Sequence, residues 1–215
     1  MADDVSKYFS TRLAFDPVRA TVWGHVTAYL QQWIPAGASV LDLACGYGDF
    51  VASVKTTGRR VGLDHNPQLP DFLPDDVESV VGDATDLSGF PGATFQVVFA
   101  SNFLEHLDHE SVDRCLAEVH RVLSPGGRIV LVQPNFRLAP KTYFDDYTHR
   151  TIFTDRSLSD LLVARGFELV HVEPRFLPMT MKSRLRGGSR LVPLYLKLPV
   201  RPLAGQMLHI AQRPR

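Results

Sequence analysis

Cysteine, long apolar runs and net charge are all scarce in this sequence. Its two cysteines, Cys45 and Cys115, make neither a disulfide framework nor a zinc cage. They suit a reducing compartment, so a cytoplasmic location is expected. No apolar run reaches the ~18 residues that a bilayer-spanning helix needs, and the opening Met1-Ala2-Asp3-Asp4 is acidic where a secretory leader would be basic. The 23 basic and 23 acidic side chains cancel, and 45% of the 215 residues are hydrophobic, which excludes a disordered chain. A local absence says more. Residues 174–215 hold nine Lys/Arg and no Asp or Glu, leaving the first 173 residues with 14 basic against 23 acidic side chains. Such a tail can pack on its own acidic body, join a second copy in a homodimer, or meet an anionic surface or ligand.

What is present is a rhythm. Val18, Val22, Val26, Tyr29, Leu30, Trp33 and Ile34 space out an amphipathic helix over residues 17–34, opened by Asp16-Pro17 and closed by Pro35-Ala36-Gly37. Short apolar runs follow at Ser39–Ala44, Arg60–Leu63, Glu78–Val81, Gln96–Ala100, Arg128–Val132 and Glu168–Val172, with a last one at Met207–Ala211. Their length and Val/Ile/Leu content predict strands buried on both faces. Helical stripes lie between several of them, at Val112, Cys115, Leu116, Val119, Val122 and Leu123, and at Leu158, Leu161 and Leu162 behind a Thr154/Asp155 cap. Alternating strands and helices predict an α/β fold with a mostly parallel sheet and right-handed crossovers. The chain reads as one domain, 1–215, with an N-terminal helical cap (1–37) and a basic, proline-rich insertion or lid (174–206) before the last strand.

The loop after the first strand carries most of the functional signal. In Val40-Leu41-Asp42-Leu43-Ala44-Cys45-Gly46-Tyr47-Gly48-Asp49-Phe50 a buried strand runs into a small-residue turn and a helix, which lets backbone approach a ligand beyond the strand ends. Asp64 closes the second strand 18 residues after Gly46, where a carboxylate can accept both hydroxyls of a ribose. Asp83-Ala84 ends the third strand, and Ser101-Asn102-Phe103-Leu104-Glu105-His106 ends the fourth with polar groups at the same edge. These ordered segments resemble the motifs of class I S-adenosylmethionine-dependent methyltransferases over residues 38–134, with Ala44 where the first glycine usually stands. The resemblance implies a Rossmann-like seven-stranded sheet with helices on both faces. It also implies S-adenosylmethionine as methyl donor: Asp42 near the methionine amine, Ala44, Gly46 and Gly48 against the cofactor, Asp64 on the ribose, and Asp83 with Ala84 on adenine. His65, Ser101 and Asn102 line the same edge, and Arg19 of the first helix can close over the cofactor. Gly46-Tyr47-Gly48-Asp49-Phe50-Val51 lacks the third glycine of a nicotinamide-dinucleotide loop.

A hydroxyl acceptor needs a base or a metal to become nucleophilic. Two clusters could serve. Glu105-His106 resembles Glu-His pairs that bind a divalent metal in some quinone-precursor O-methyltransferases, and is expected to hold Mg²⁺. Tyr143-Phe144-Asp145-Asp146-Tyr147-Thr148-His149-Arg150 offers carboxylates and aromatic faces for a sugar, with His149 expected as general base and Asp146 orienting it. The segments from Gln133-Pro134-Asn135 to Lys182-Ser183-Arg184-Leu185 are similar to a glycan-associated bacterial branch, including the mannoside 1-O-methyltransferases of mycobacterial methylmannose polysaccharide synthesis. The expected reaction is O-methylation of a sugar or oligosaccharide. The alternatives are a quinone, polyketide or other small-molecule acceptor, or a binding-only regulator. No nucleic-acid partner is expected, since the Asn-Pro-Pro-Tyr type of base-methylating motif is absent, and a membrane surface ranks below lid and dimer roles for the insertion.

Overall fold

A computed structural model describes residues 16–179 and 188–215. Lys182, Arg184 and Arg186 of the basic segment, and the first fifteen positions of the N-terminal cap, lie outside the described residues. All seven expected apolar runs form strands: β1 (Val40–Leu43), β2 (Arg60–Asp64), β3 (Glu78–Val81), β4 (Phe95–Ser101), β5 (Leu123–Pro134), β6 (Glu168–Glu173) and β7 (Gln206–Gln212). They make one sheet in the order β3-β2-β1-β4-β5-β7-β6, in which β7 runs antiparallel to both neighbours. Because the chain winds outward from β1 to β3 and then restarts at β4, the order reverses between β1 and β4, and a crevice opens beyond the carboxyl ends of those two strands.

The helices are α1 (Pro17–Leu30), α2 (Asp49–Ser53), α3 (Leu69–Phe72), α4 (His109–Val122), α5 (Asp155–Ala164) and α6 (Val192–Leu196). Their starts follow local chemistry. Asp16 accepts from the Val18 amide ahead of Pro17, and Thr154 and Ser157 form a reciprocal capping box on α5. Alternation along the strands feeds two cores. Val40, Val97, Phe99, Val130, Val132 and Leu208 face α1 and α6, whereas Leu41, Leu43, Val98, Ile129 and Leu131 face α4 and α5. Among the described residues no helix is long and apolar enough to cross a membrane.

The expectation that every strand is buried on both faces fails at β3 and β6, whose residues are half-buried to exposed. Both are the outermost strands of the sheet, so each has a neighbour on one side only. The first helix also stops earlier than its apolar spacing predicts, at Leu30, and a 3₁₀ turn carries Gln31–Trp33. Between β6 and β7 the chain leaves the sheet, places α6 against α1, and returns through a bridge between Pro178 and Ala204. Arg201 anchors this excursion: it is buried, and its guanidinium donates to the Glu173 carboxylate, the Tyr29 hydroxyl (3.1 Å) and the Leu196 carbonyl (2.7 Å). One of the nine cations of the basic tail is therefore consumed inside the fold.

Candidate active site

The loop after β1 is held open by left-handed backbone at Ala44 (φ 52°), Gly46 (φ 60°) and Gly48 (φ 73°). At Gly48 a side chain would also collide with Leu73, whose Cδ2 lies 2.0 Å from the position of a Cβ. Ala44 takes the same kind of conformation with a methyl group attached, which costs an L-residue roughly 1–2 kcal/mol. The loop is tied to β2 by a 2.8 Å hydrogen bond from the Gly46 amide to Asp64 Oδ2, while Asp64 Oδ1 accepts from the Asn66 amide. Asp64 thus fixes the loop with one lone pair on each oxygen and keeps the others for hydroxyl donors.

Asp42 lies beneath the loop, 2% exposed, and accepts from the Val51 amide at 3.3 Å. Burial holds its carboxyl well above the usual range, opposed by that amide and reinforced by the Asp64 charge. A cationic ligand amine would relieve this cost. Asp83 sits at the end of β3, exposed, turned by hydrogen bonds from the Thr85 amide and hydroxyl, with His65 Nε2 4.0 Å away. Ala84 is buried beside it. Asn102, left-handed at φ 48°, donates its amide to Ser101 Oγ at the end of β4. Arg19 reaches across from α1 to an ion pair with Asp49 at 2.6 Å and lies over the Tyr47 ring. The expected cofactor residues therefore share the carboxyl edge of β1 to β4, with Arg19 above it.

The acceptor-side expectation changes in one respect. The two clusters that the sequence presents separately, Glu105-His106 and the His149 loop, form a single group. The Glu105 carbonyl accepts from the amides of Arg150 (2.7 Å) and Thr151 (3.1 Å), and Thr151 Oγ1 donates to the Leu107 carbonyl. These bonds sew the loop after β5 onto the loop after β4. Tyr143, fully buried with its hydroxyl on the Thr151 carbonyl, packs against the His149 ring. His106 Nε2 and His149 Nε2 each stand 4.0 Å from Glu105 Oε1, and one ligand atom from each of the three residues lies within 4.8 Å of the others.

That spacing is too long for hydrogen bonds. It is close to what donors sharing one ion at about 2.0–2.2 Å would need, since such donors sit roughly 3–4 Å apart. Glu105 is 0% exposed, and among the described residues neither of its oxygens has a hydrogen-bond partner. Burial pushes its carboxyl up to about 8, with the Asp146 charge adding to the effect. Burial, then the neighbouring His149, push His106 down to about 4. The sequence suggests Asp146 as the group that orients His149. Its carboxylate accepts from the Thr148 hydroxyl at 2.6 Å, and Thr148 Oγ1 lies 2.9 Å from His106 Nδ1. A hydroxyl has one proton, so Nδ1 of His106 is the donor in that contact and its Nε2 lone pair faces Glu105.

Gln133, part of the Gln133-Pro134-Asn135 segment, is not among the residues expected in the site. It ends the apolar run of β5 fully buried, with both amide atoms unpartnered among the described residues. A glutamine terminating an otherwise apolar central strand is the signal that could have marked it. Of the other polar groups, His209 is enclosed between Ser159 and the Asp155 carbonyl, and Cys45 is a buried filler whose thiol burial pushes far up.

Comparison with known proteins agrees with this geometry. A family model described as "Methyltransferase domain" matches residues 41–131. A demethylmenaquinone methyltransferase of Lactococcus lactis is 32% identical over 127 residues, covering 50% of this chain and 49% of that protein. A ubiquinone/menaquinone biosynthesis C-methyltransferase of Hahella chejuensis is 31% identical over 192 residues, covering 77% and 72%. Among solved structures, the 1,6-didemethyltoxoflavin N1-methyltransferase of Burkholderia thailandensis, bound to its substrate and S-adenosylhomocysteine, superposes with a TM-score of 0.67. It is 22% identical and is covered over 86% of its length by 99% of this chain, a likeness of fold. The chain spans about half the length of the first curated relatives it matches, 49% and 43% for two of them. The Lactococcus, Hahella and Burkholderia enzymes are named for quinone and toxoflavin acceptors, and the glycan-associated branch draws no support from them. A match running through most of the Hahella enzyme, on a sheet that switches direction where the carboxylate-rimmed loops meet, makes this chain a member of the class I S-adenosylmethionine-dependent methyltransferases.

Proposed function

We propose that the chain transfers the methyl group of S-adenosylmethionine to a small-molecule acceptor of the quinone-precursor type, bound between the β1 loop and the Glu105–His106–His149 cluster. The observation that carries this reading is the convergence of Asp42, Asp64 and Asp83 at the carboxyl ends of three adjacent parallel strands, beside the point where strand order reverses. The donor fits the residues there. Asp42 supplies a desolvated anion for an amine, Asp64 retains lone pairs for two hydroxyls, and Gly46 and Gly48 themselves carry no side chain to block a close approach. Methyl transfer from a sulfonium is an in-line displacement, so these contacts act by holding donor and nucleophile aligned and by excluding water.

The cluster fits a divalent cation. Glu105 has two fully buried oxygens without a hydrogen-bond partner among the described residues, and His106 is set in the ligand-ready tautomer by the Asp146–Thr148 relay. In this reading His149 is the third ligand and not the base. Two imidazoles and one carboxylate suit Zn²⁺, Mn²⁺ or Co²⁺ better than Mg²⁺, whose shell is built from oxygens. Such an ion would acidify an acceptor hydroxyl. On the same loop as His149, the exposed rings of Phe144 and Tyr147 offer flat faces to an aromatic acceptor. A sugar acceptor rests on the residue types of the 143–150 loop alone.

The test is an acceptor screen with labelled S-adenosylmethionine, comparing hydroxylated quinones and phenols with mannosides, each after chelation and after return of Zn²⁺, Mn²⁺ or Mg²⁺. Transfer to the aromatic set, lost on chelation and restored best by the transition ions, is the expected result. Transfer to mannosides alone would overturn the acceptor, and full activity after chelation would remove the metal.

A further inference from the structure

We infer that residues 190–203, between β6 and β7, dock this protein on the surface of an anionic lipid bilayer. The inference goes beyond the reaction proposed above and does not depend on its acceptor. Its basis is a cluster of side chains that the fold leaves outside. Leu191, Leu194, Val200 and Leu203 are 56%, 62%, 71% and 89% exposed, four large apolar residues within thirteen positions. Exposure this high belongs to protruding side chains, which suit insertion into a soft interface better than a rigid groove. Arg190 and Lys197 are exposed among them. No acid occurs anywhere from 174 to 215, and none occurs in α1, the helix on which α6 packs.

The protrusions are also pre-ordered. The buried guanidinium of Arg201, held by Glu173, Tyr29 and the Leu196 carbonyl, pins the chain between Val200 and Leu203. Little conformational freedom then remains to be lost on insertion. Prolines 193, 199 and 202 prevent a long amphipathic helix, so the surface is a short wedge. A second copy meeting the same face about a two-fold axis would set cation against cation with no acid to compensate, whereas an anionic leaflet complements it. The wedge borders the site: Gly205, two residues beyond Leu203, accepts from the Asn135 amide at the end of β5.

The experiment is co-sedimentation of the full chain with vesicles of phosphatidylcholine alone or mixed with phosphatidylglycerol, at low and high salt. The expected result is binding to the mixed vesicles only, weakened by salt. Arg190→Gln with Lys197→Gln should lower partitioning about fivefold per cation removed. Leu194→Ser with Leu203→Ser should lower it about tenfold. Neither pair should shift the thermal midpoint, because all four side chains are exposed. Absence of binding to anionic vesicles would overturn the inference, as would undiminished binding by the leucine pair. A dimer in light scattering that the leucine pair converts to monomer would overturn it too, assigning the face to a second copy.

Discussion

Replacing Glu105 by glutamine isolates the most unusual electrostatic feature of the fold. With its carboxyl pushed from 4.5 up to about 8 by complete burial, Glu105 binds a proton more tightly in the folded protein than in the unfolded chain. The contribution is fully present below pH 4.5 and is lost as pH rises, by about 1.4 kcal/mol per pH unit, until the folded group has ionised. Between pH 5 and pH 7.5 the cation-free wild type should therefore lose about 3 kcal/mol that Glu105→Gln keeps. For a chain of this length that is a difference of roughly 6–12 °C in thermal midpoint. The assay is differential scanning calorimetry of both proteins after chelation, over that pH range, with the difference between their curves as readout. The variant should be the more stable at pH 7.5 and close to wild type at pH 5. Adding Zn²⁺ or Mn²⁺ should raise the wild-type midpoint and leave the variant unmoved. Parallel pH curves would mean instead that Glu105 is solvated or paired in the folded protein.

Other outcomes follow from individual residues. Ala44→Gly removes a left-handed methyl-bearing residue at φ 52°; set against the extra freedom of glycine in the unfolded chain, the net gain is about 0.5–1 kcal/mol by urea denaturation. Arg201→Ala removes the cation from half-buried Glu173, which keeps Tyr29 and His171 as partners, and should cost about 1–3 kcal/mol in the same experiment. Asp42→Asn removes a carboxylate that burial disfavours at neutral pH while retaining an acceptor for the Val51 amide. It should raise the thermal midpoint and weaken S-adenosylhomocysteine roughly 10- to 100-fold, the value of a charge-assisted hydrogen bond.

The strands and the donor side of the site were legible because both are local patterns. A run such as Val61-Gly62-Leu63-Asp64 announces its strand by apolar content and its site by the carboxylate at its end, and parallel pairing brings successive strand ends to one edge. Edge exposure of β3 and β6 was not legible, since it depends on the order of strands in the sheet. The acceptor side is visible in the sequence only in pieces. Glu105 and His149 are 44 residues apart, and what joins them is two backbone hydrogen bonds to the Glu105 carbonyl, which leave no trace in residue type. For the same reason the link from the Asp146 carboxylate through Thr148 to His106 is not legible in the sequence.

In the function proposed above, the crevice bounded by the β1 loop and Asp64 holds the methyl donor. Isothermal titration of S-adenosylhomocysteine into the wild type and into Asp64→Asn tests it most directly. One molecule should bind per chain, with affinity falling at least about tenfold in the variant as a charged acceptor for the ribose hydroxyls is lost. No heat of binding in the wild type, or equal affinity in the two proteins, would contradict it.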